Sequence, residues 1–521
     1  MKPNVAAAKA DPYAAFRHGA FRRFLPGNFL FNLGRLGMSV AIGTQVYEWT
    51  HSAAALGFLG LLNVLPLIAL VLPSGVLADR CDRRKIIAGT MAASFVLYAL
   101  LAAATHFHAA LPTTGTAGDA LRAANGFIRD AAAFFTTEAD VARFTFDDPR
   151  CAALPVVFAL QFLLATAFVA GNPARAALVP RLVPPAALTN AFRWNSSAFE
   201  LAVTLGLLLG GLVATWSFTA VYAFAAFAAA ALGAAMLGLR LEGERGAGSG
   251  ERGNSAENEG QRDKGKGQRA ATGGTTAQGS SRAGGVHAAA LPPRSPTASA
   301  GGAFAGIPFI WRHKPVLAAI TLDLFAVLFG GVVALFPIYA KEVFAGVTLP
   351  FLEPETAHRF ITGLLRAAPA VGAVAMAVAG AYLPPFRKPG IALLWTVAGF
   401  GAALLVFALS QNLWLSLAAL FLSGMCDNVS VIIRHTLVQA LTPDALRGRV
   451  SSVNQLFIGC SNDISELRGG LVAAQFGTVT AAVSGAIATL LTVAGVAGVF
   501  KSLRRLAPLE ELKPEDDRHG K

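Results

Sequence analysis

A few ionisable residues interrupt the long apolar stretches of this chain, and these are where chemistry would sit. The acids are Glu200, Asp323, Asp427, Asp463 and Glu466; the bases are Arg35, Arg366, Arg434 and Arg468. A charge in hydrocarbon costs roughly 2.5–3.5 kcal/mol on insertion scales, so such residues mark function by default. The chemistry they suit is proton carriage. Burial raises the proton affinity of a carboxylate toward neutrality, so that it loads and releases protons as its exposure changes. Asp323 is the leading candidate, because it lies in the first third of an otherwise apolar stretch; a structural hydrogen bond is its competing role. Asp427 precedes Arg434 by two helical turns, too far for a bridge within one helix, so each is expected to pair across helices. Asp463 and Glu466 are three apart and share a helix face.

Other chemistries find no residues. There is no Gly-x4-Gly-Lys-Ser/Thr loop, no His-Glu-x-x-His helix and no Gly-x-Ser-x-Gly elbow. His106 and His108 make a poor metal site. The chain is read as not an enzyme, with no cofactor and no metal. Four cysteines in 521 residues are too few for a disulfide framework.

Membrane helices must position these residues. The chain is 54% hydrophobic and only 14% charged, against roughly 25% charged in soluble domains. A membrane helix needs about 20 apolar residues. Twelve spans qualify: 24–48, 53–78, 86–105, 152–171, 190–215, 217–239, 315–340, 360–383, 390–409, 413–433, 449–475 and 477–500. The expected fold is all-α and polytopic, with no cleaved signal peptide, since the first 24 residues lack an apolar core.

The net charge of +13 is explained by topology. With the N-terminus in the cytoplasm, the short cytoplasmic loops and the tails (1–23 and 501–521) hold 23 Lys and Arg; the short external loops hold two, Lys341 and Arg359. That is the positive-inside pattern, so nucleic acid is not an expected partner. Residues 240–302 contain 15 glycines and three large apolar residues, and read as a disordered cytoplasmic linker. They divide the chain into six-helix halves, 24–239 and 303–500. The external loop 106–150 has helical periodicity over 119–146; a surface cap is the simplest role for it.

The halves repeat. Sliding Arg175-Ala-Ala-Leu178-Val179 by 259 residues lands it on Arg434-His-Thr-Leu437-Val438. The same offset carries Asn195 to Asn454 and Gly210-Gly-Leu-Val-Ala214 to Gly469-Gly-Leu-Val-Ala473. Such duplications build two pseudo-symmetric bundles with the substrate near the midplane, where the halves meet. Candidate cavity residues are Asn32, Arg35, Asn195, Arg366, Asn454 and Asn462, with Phe29, Phe31, Phe325 and Phe329 as apolar lining. Gly206, Gly210 and Gly211 suit close helix packing.

The turn Gly75-Val-Leu-Ala-Asp79-Arg80-Cys-Asp82-Arg83-Arg84-Lys85 resembles the signature of the major facilitator superfamily, and Gly380-Ala-Tyr-Leu-Pro-Pro-Phe-Arg387-Lys388-Pro-Gly390 is a degenerate copy. Gly75 permits close helix approach, and Asp79 can pair with an arginine at a helix end, a latch that holds one face closed. Further stretches resemble the enterobactin-exporter-like group: Ala20-Phe-Arg-Arg-Phe24, Leu322-Asp323-Leu-Phe-Ala-Val-Leu-Phe-Gly330-Gly331, Pro443-Asp-Ala-Leu-Arg447-Gly448-Arg449-Val450 and Gly459-Cys-Ser461-Asn462. The resemblance implies a carrier of the bacterial inner membrane, driven by the proton gradient and exporting siderophores or drugs. The expected partners are a small-molecule substrate, protons and the lipid bilayer, and the expected state is a monomer. The alternatives are a lipid translocator of the same superfamily and a non-transporting receptor or scaffold that uses the linker.

Overall fold

In a computed structural model, the described residues are 11–110, 115–135, 152–238, 306–350, 352–380, 388–504 and 506. The expected linker 240–302, the second half of loop 106–150, most of the degenerate copy at 381–387, and the ends of both tails lie outside them. The side chain of Asp79 is likewise outside the described set, although its backbone belongs to a helix.

Long helices occupy the expected spans: α1 (Gly19–Thr50), α2 (Ala53–Arg80), α3 (Arg83–His106), α5 (Leu154–Leu178), α6 (Leu188–Trp216), α7 (Phe218–Leu237), α9 (Lys314–Gly330), α10 (Pro354–Gly380), α11 (Pro389–Leu409), α12 (Leu413–Leu441), α13 (Asp444–Phe476) and α14 (Thr478–Val499). Two shorter ones are α4 (Gly115–Phe135), in the expected external loop, and α8 (Gly306–Arg312). Among the described residues, 10 helices are long and apolar enough to cross a membrane. The long helices outside that set are α1 and α13, which carry Arg35, and Asp463, Glu466 and Arg468. The protein is a multi-pass membrane protein. Trp395, Leu491 and Phe227 are each more than 60% exposed on its flanks, as lipid-facing side chains are.

Short turns between helices are set by local caps. Ser52 accepts from Ala55 N at 3.3 Å, Asp82 from Arg84 N at 2.9 Å, and Asn412 from Trp414 N at 2.9 Å. Gly477, at φ 87, turns the chain from α13 into α14, a conformation that favours glycine.

The expected single span 315–340 is broken. The helix stops at Gly330 and resumes as short pieces, Val333–Leu335, Phe336–Ile338 and Tyr339–Val343. A Cβ on Gly331 would lie 2.0 Å from Ser465 Oγ, so α13 crosses where no side chain fits. Arg468 on α13 repairs the break, donating to Leu328 O at 3.1 Å and Phe329 O at 2.6 Å. The N-terminal segment also differs from a free tail. Residues 11–18 dock on the start of α6, with Asn190 Nδ2 and Trp194 Nε1 both donating to Pro12 O.

In the first half α1 packs on α6 and α7, and α5 on α2 and α3; in the second, α9 packs on α13 and α14, and α11 on α12 and α14. The most extensive contacts between the halves are α2 with α13 and α6 with α10, and α1 also touches α10. Glycines make these joins. A Cβ on Gly470 would lie 2.6 Å from Gly57 Cα, and one on Gly211 2.7 Å from Gly363 Cα. Gly206 and Gly210 instead face α1, where a Cβ on Gly210 would lie 2.3 Å from Gly37 Cα.

Candidate functional site

A cavity of about 430 Å³ lies between the halves, lined by residues of α1, α2, α3, α5 and α13. Its polar wall is Arg35, Ser39, Asn63, Tyr98, Gln161, Asn172, Gln455, Asn462 and Asp463; its apolar wall includes Met38, Leu67 and Phe168. Gln161 Nε2 donates to Asn63 Oδ1 at 2.9 Å, which ties α5 to α2. The guanidinium of Arg35 stacks on Phe168, 4.3 Å from the ring centroid. From the other side of the sequence candidates, Arg35, Asn462 and Asp463 meet in this wall. Asn32, Asn195, Asn454, Phe29, Phe31, Phe325 and Phe329 are not among its lining residues. Asn32 donates to Asn28 O at 2.7 Å, and Asn28 to Asn195 Oδ1 at 3.4 Å, so these two sit in a polar chain between α1 and α6.

Glu466 stands one turn beyond Asp463 and pairs with Arg366 of α10 at 3.6 Å. Arg366 also donates to Ser39 O of α1 at 2.5 Å. A Cβ on Gly60 would lie 2.9 Å from Glu466 Cβ. The Glu466–Arg366 pair therefore sits where α1, α2, α10 and α13 converge, and both halves touch it.

Asp323 is held elsewhere. Arg434 of α12 donates to its carboxylate, and both side chains are buried, at 2% and 7% exposed. They lie within the apolar core of the second half, among Val316, Leu322, Ile433 and Leu437. Asp427 is half-buried on the same helix as Arg434 and forms no ion pair among the described residues. Glu200 is exposed on α6.

The end of the protein remote from the basic loops is clamped. Glu48 takes a two-pronged pair from Arg359, Nε to Oε1 at 2.7 Å and Nη2 to Oε2 at 2.9 Å, and meets His358 Nε2 at 2.7 Å. Arg359 also donates to Ala214 O at 2.9 Å and stacks on Phe218 at 4.3 Å. Beside it, Tyr47 donates to Glu342. This cluster ties α1, α6 and α7 to α10 across the halves. As the last acid of an apolar helix, Glu48 reads from sequence as a boundary residue. Its partner is 311 positions away, and the only signal was a lone acid in one half and a His-Arg pair in the other.

The other end carries the basic turn. α2 and α13 touch at Gly57, Gly60 and Leu67, and among the described residues no atom lies within 4 Å of where a Cβ on Gly75 would be. In the turn beyond it, Arg83 donates to Ala78 O at 3.2 Å and Ala177 O at 3.0 Å, joining the ends of α2, α3 and α5. Arg84 pairs with Asp82 at 3.4 Å, while Arg80 is exposed.

Comparison with known proteins agrees with this architecture. The chain is similar to the enterobactin exporter EntS of Citrobacter koseri, 30% identical over 175 residues. That match covers 33% of this chain and 42% of the relative's length. Its fold is similar to a bacterial homologue of the human lysosomal transporter Spinster in an inward-facing, unoccupied conformation, with TM-score 0.58 and 13% identity over 95% of this chain and 99% of that one. It is also similar to the inward-open xylose transporter XylE of E. coli, with TM-score 0.58 and 11% identity over 94% and 98%. A sequence profile of the Major Facilitator Superfamily matches residues 24–461. Two joined sets of membrane helices, a polar cavity between them and that match lead to one conclusion: the chain belongs to the Major Facilitator Superfamily of transporters, which are not enzymes.

Proposed function

We propose that this transporter exports a small amphiphilic molecule by alternating access, driven by protons, across a bacterial inner membrane. The observation that carries this reading is the asymmetry of the two ends. Glu48, Arg359 and His358 clamp the halves at one end, and the cavity at Arg35, Val71 and Gln455 lies on the basic side of that clamp. The 23-to-2 distribution of Lys and Arg supports a cytoplasmic place for the basic end, both termini and residues 240–302. The state described is then loaded from the cytoplasm, and release requires the clamp to open. The partial likeness to an enterobactin exporter supports the outward direction and a siderophore-like or drug-like cargo.

The geometry favours Glu466 over Asp323 as the proton carrier. Asp323 is locked to Arg434 inside one half, so rocking of the halves would leave its environment unchanged. The Glu466–Arg366 pair touches both halves, so protonating Glu466 frees Arg366 to follow α1 and Ser39. The turn at Gly75, Asp79, Arg80, Arg83 and Arg84 would latch the cytoplasmic end in the opposite state. The test is a flux assay in proteoliposomes under an imposed pH step. Wild type should concentrate a hydrophobic dye against its gradient. Glu466→Gln should lose this but keep downhill exchange. No flux of any amphiphile from wild type would overturn the exporter reading.

A further inference from the structure

The repeat poses one electrostatic problem twice and solves it in two ways. Arg175 and Arg434 occupy equivalent positions, 259 residues apart. In the second half, Asp323 neutralises Arg434. Among the described residues of the first half no carboxylate does the same for Arg175; the one acid in α1 is Glu48, bound at the clamp. Yet Arg175 is just 6% exposed. Its Nη2 reaches Phe168 O and Asn172 Oδ1 at 3.5 Å, at the edge of hydrogen bonding, and its Nη1 is buried with no partner.

Arg35 shows the same deficit. Its Nε is buried without a partner, although the residue lines the cavity. Both guanidiniums stack on one ring, at 4.3 and 4.8 Å from the Phe168 centroid. Arg175 also lies over Phe31, at 4.9 Å. Stacking is worth about 0.5–2 kcal/mol, whereas taking an ion out of water costs several kcal/mol even after relaxation. Ring contacts alone do not offset two such costs. Asp463 lines the same cavity, but no ion pair joins it to either arginine among the described residues. Glu466 is engaged by Arg366. Two guanidiniums against one carboxylate leave one positive charge in excess.

We propose that Arg35, in the cavity wall, binds the anionic group of the cargo while Arg175, which stacks on the same ring but is not among the lining residues, adds to the positive field there, and that the cargo is an aromatic or otherwise flat apolar monoanion. The carboxylate or sulfonate of such a molecule supplies the counter-charge that Asp323 supplies in the other half. The guanidinium fork of Arg35 suits that geometry, and Met38, Leu67 and Leu164 offer apolar surface in a cavity of about 430 Å³. This inference rests on the transporter reading for its cargo, but the site itself is tested by binding alone.

The experiment measures binding of three tritiated probes of matched shape, naphthoate, naphthamide and naphthyltrimethylammonium, to the full-length protein in lipid nanodiscs. Naphthoate should bind at least tenfold tighter than the neutral or cationic probe. Arg35→Gln and Arg175→Gln should each weaken naphthoate tenfold or more and leave naphthamide unchanged, while Arg175→Lys retains part of the affinity. Should Arg175→Gln fail to fold, Arg35→Gln and Phe168→Leu decide in the same way. Equal binding of the neutral or cationic probe, full naphthoate affinity in the glutamine variants, or no binding of any probe by wild type overturns the proposal. Flux in wild-type proteoliposomes is scored separately. Binding without transport refutes the exporter and leaves the anion site standing; transport without this selectivity does the reverse.

Discussion

Asp323→Asn separates a structural from a coupling role. The carboxylate is the charge partner of Arg434, and both are buried in an apolar core. Removing one member of such a pair leaves an uncompensated buried charge and costs about 3–5 kcal/mol. Stabilities of folded domains are typically about 5–15 kcal/mol, so the loss is a large fraction of the total. Arg434→Gln alone should be comparably damaging, since it strands the acid. The double substitution Asp323→Asn with Arg434→Gln removes both charges at once and should recover much of the loss. Thermal melts of purified protein in detergent, followed by size-exclusion chromatography, supply the three values for a double-mutant cycle. The expected coupling is at least about 2 kcal/mol. The reasoning fails if Asp323→Asn melts like wild type, and fails doubly if that stable variant also loses proton-driven flux, for then Asp323 carries the proton.

Gly210→Val should abolish folded protein, because even a Cβ there would lie 2.3 Å from Gly37 Cα; a monodisperse, active variant would contradict the α1–α6 contact. Glu48→Gln removes the charge from the clamp, so a cysteine at Ala357 should react faster with an impermeant thiol reagent added outside cells; an unchanged rate would mean the clamp does not gate that end. Arg468→Met strips two donors from the carbonyls freed at the break after Gly330. At roughly 1.5–3 kcal/mol for a bond to a charged group, it should lower the melting temperature more than Arg80→Met, which alters an exposed side chain.

Much of this architecture was legible in sequence because hydrocarbon forces it. Backbone groups in lipid must be satisfied within the segment, so each apolar stretch of about 20 residues becomes a helix. Basic residues mark one end of these helices by the same logic, and the offset between Arg175 and Arg434 exposes the duplication without any coordinates. Sequence also located the ionisable residues within the membrane spans, since charge in an apolar run stands out. It did not reveal which charges meet. Asp323 and Asp463 are both acids within expected membrane spans, yet one is sealed against Arg434 and the other faces the cavity. Glu48 looked like a boundary residue until a partner 311 positions away closed on it. The break after Gly330 follows from the crossing of α13 at Ser465, a contact that local propensity does not encode. Local composition decides whether a residue lies in a helix and in lipid, because the solvent acts on each segment separately. The pairing of charges, and the lack of a paired carboxylate at Arg175 among the described residues, depend on which helix faces which, and only the packing of the whole chain decides that.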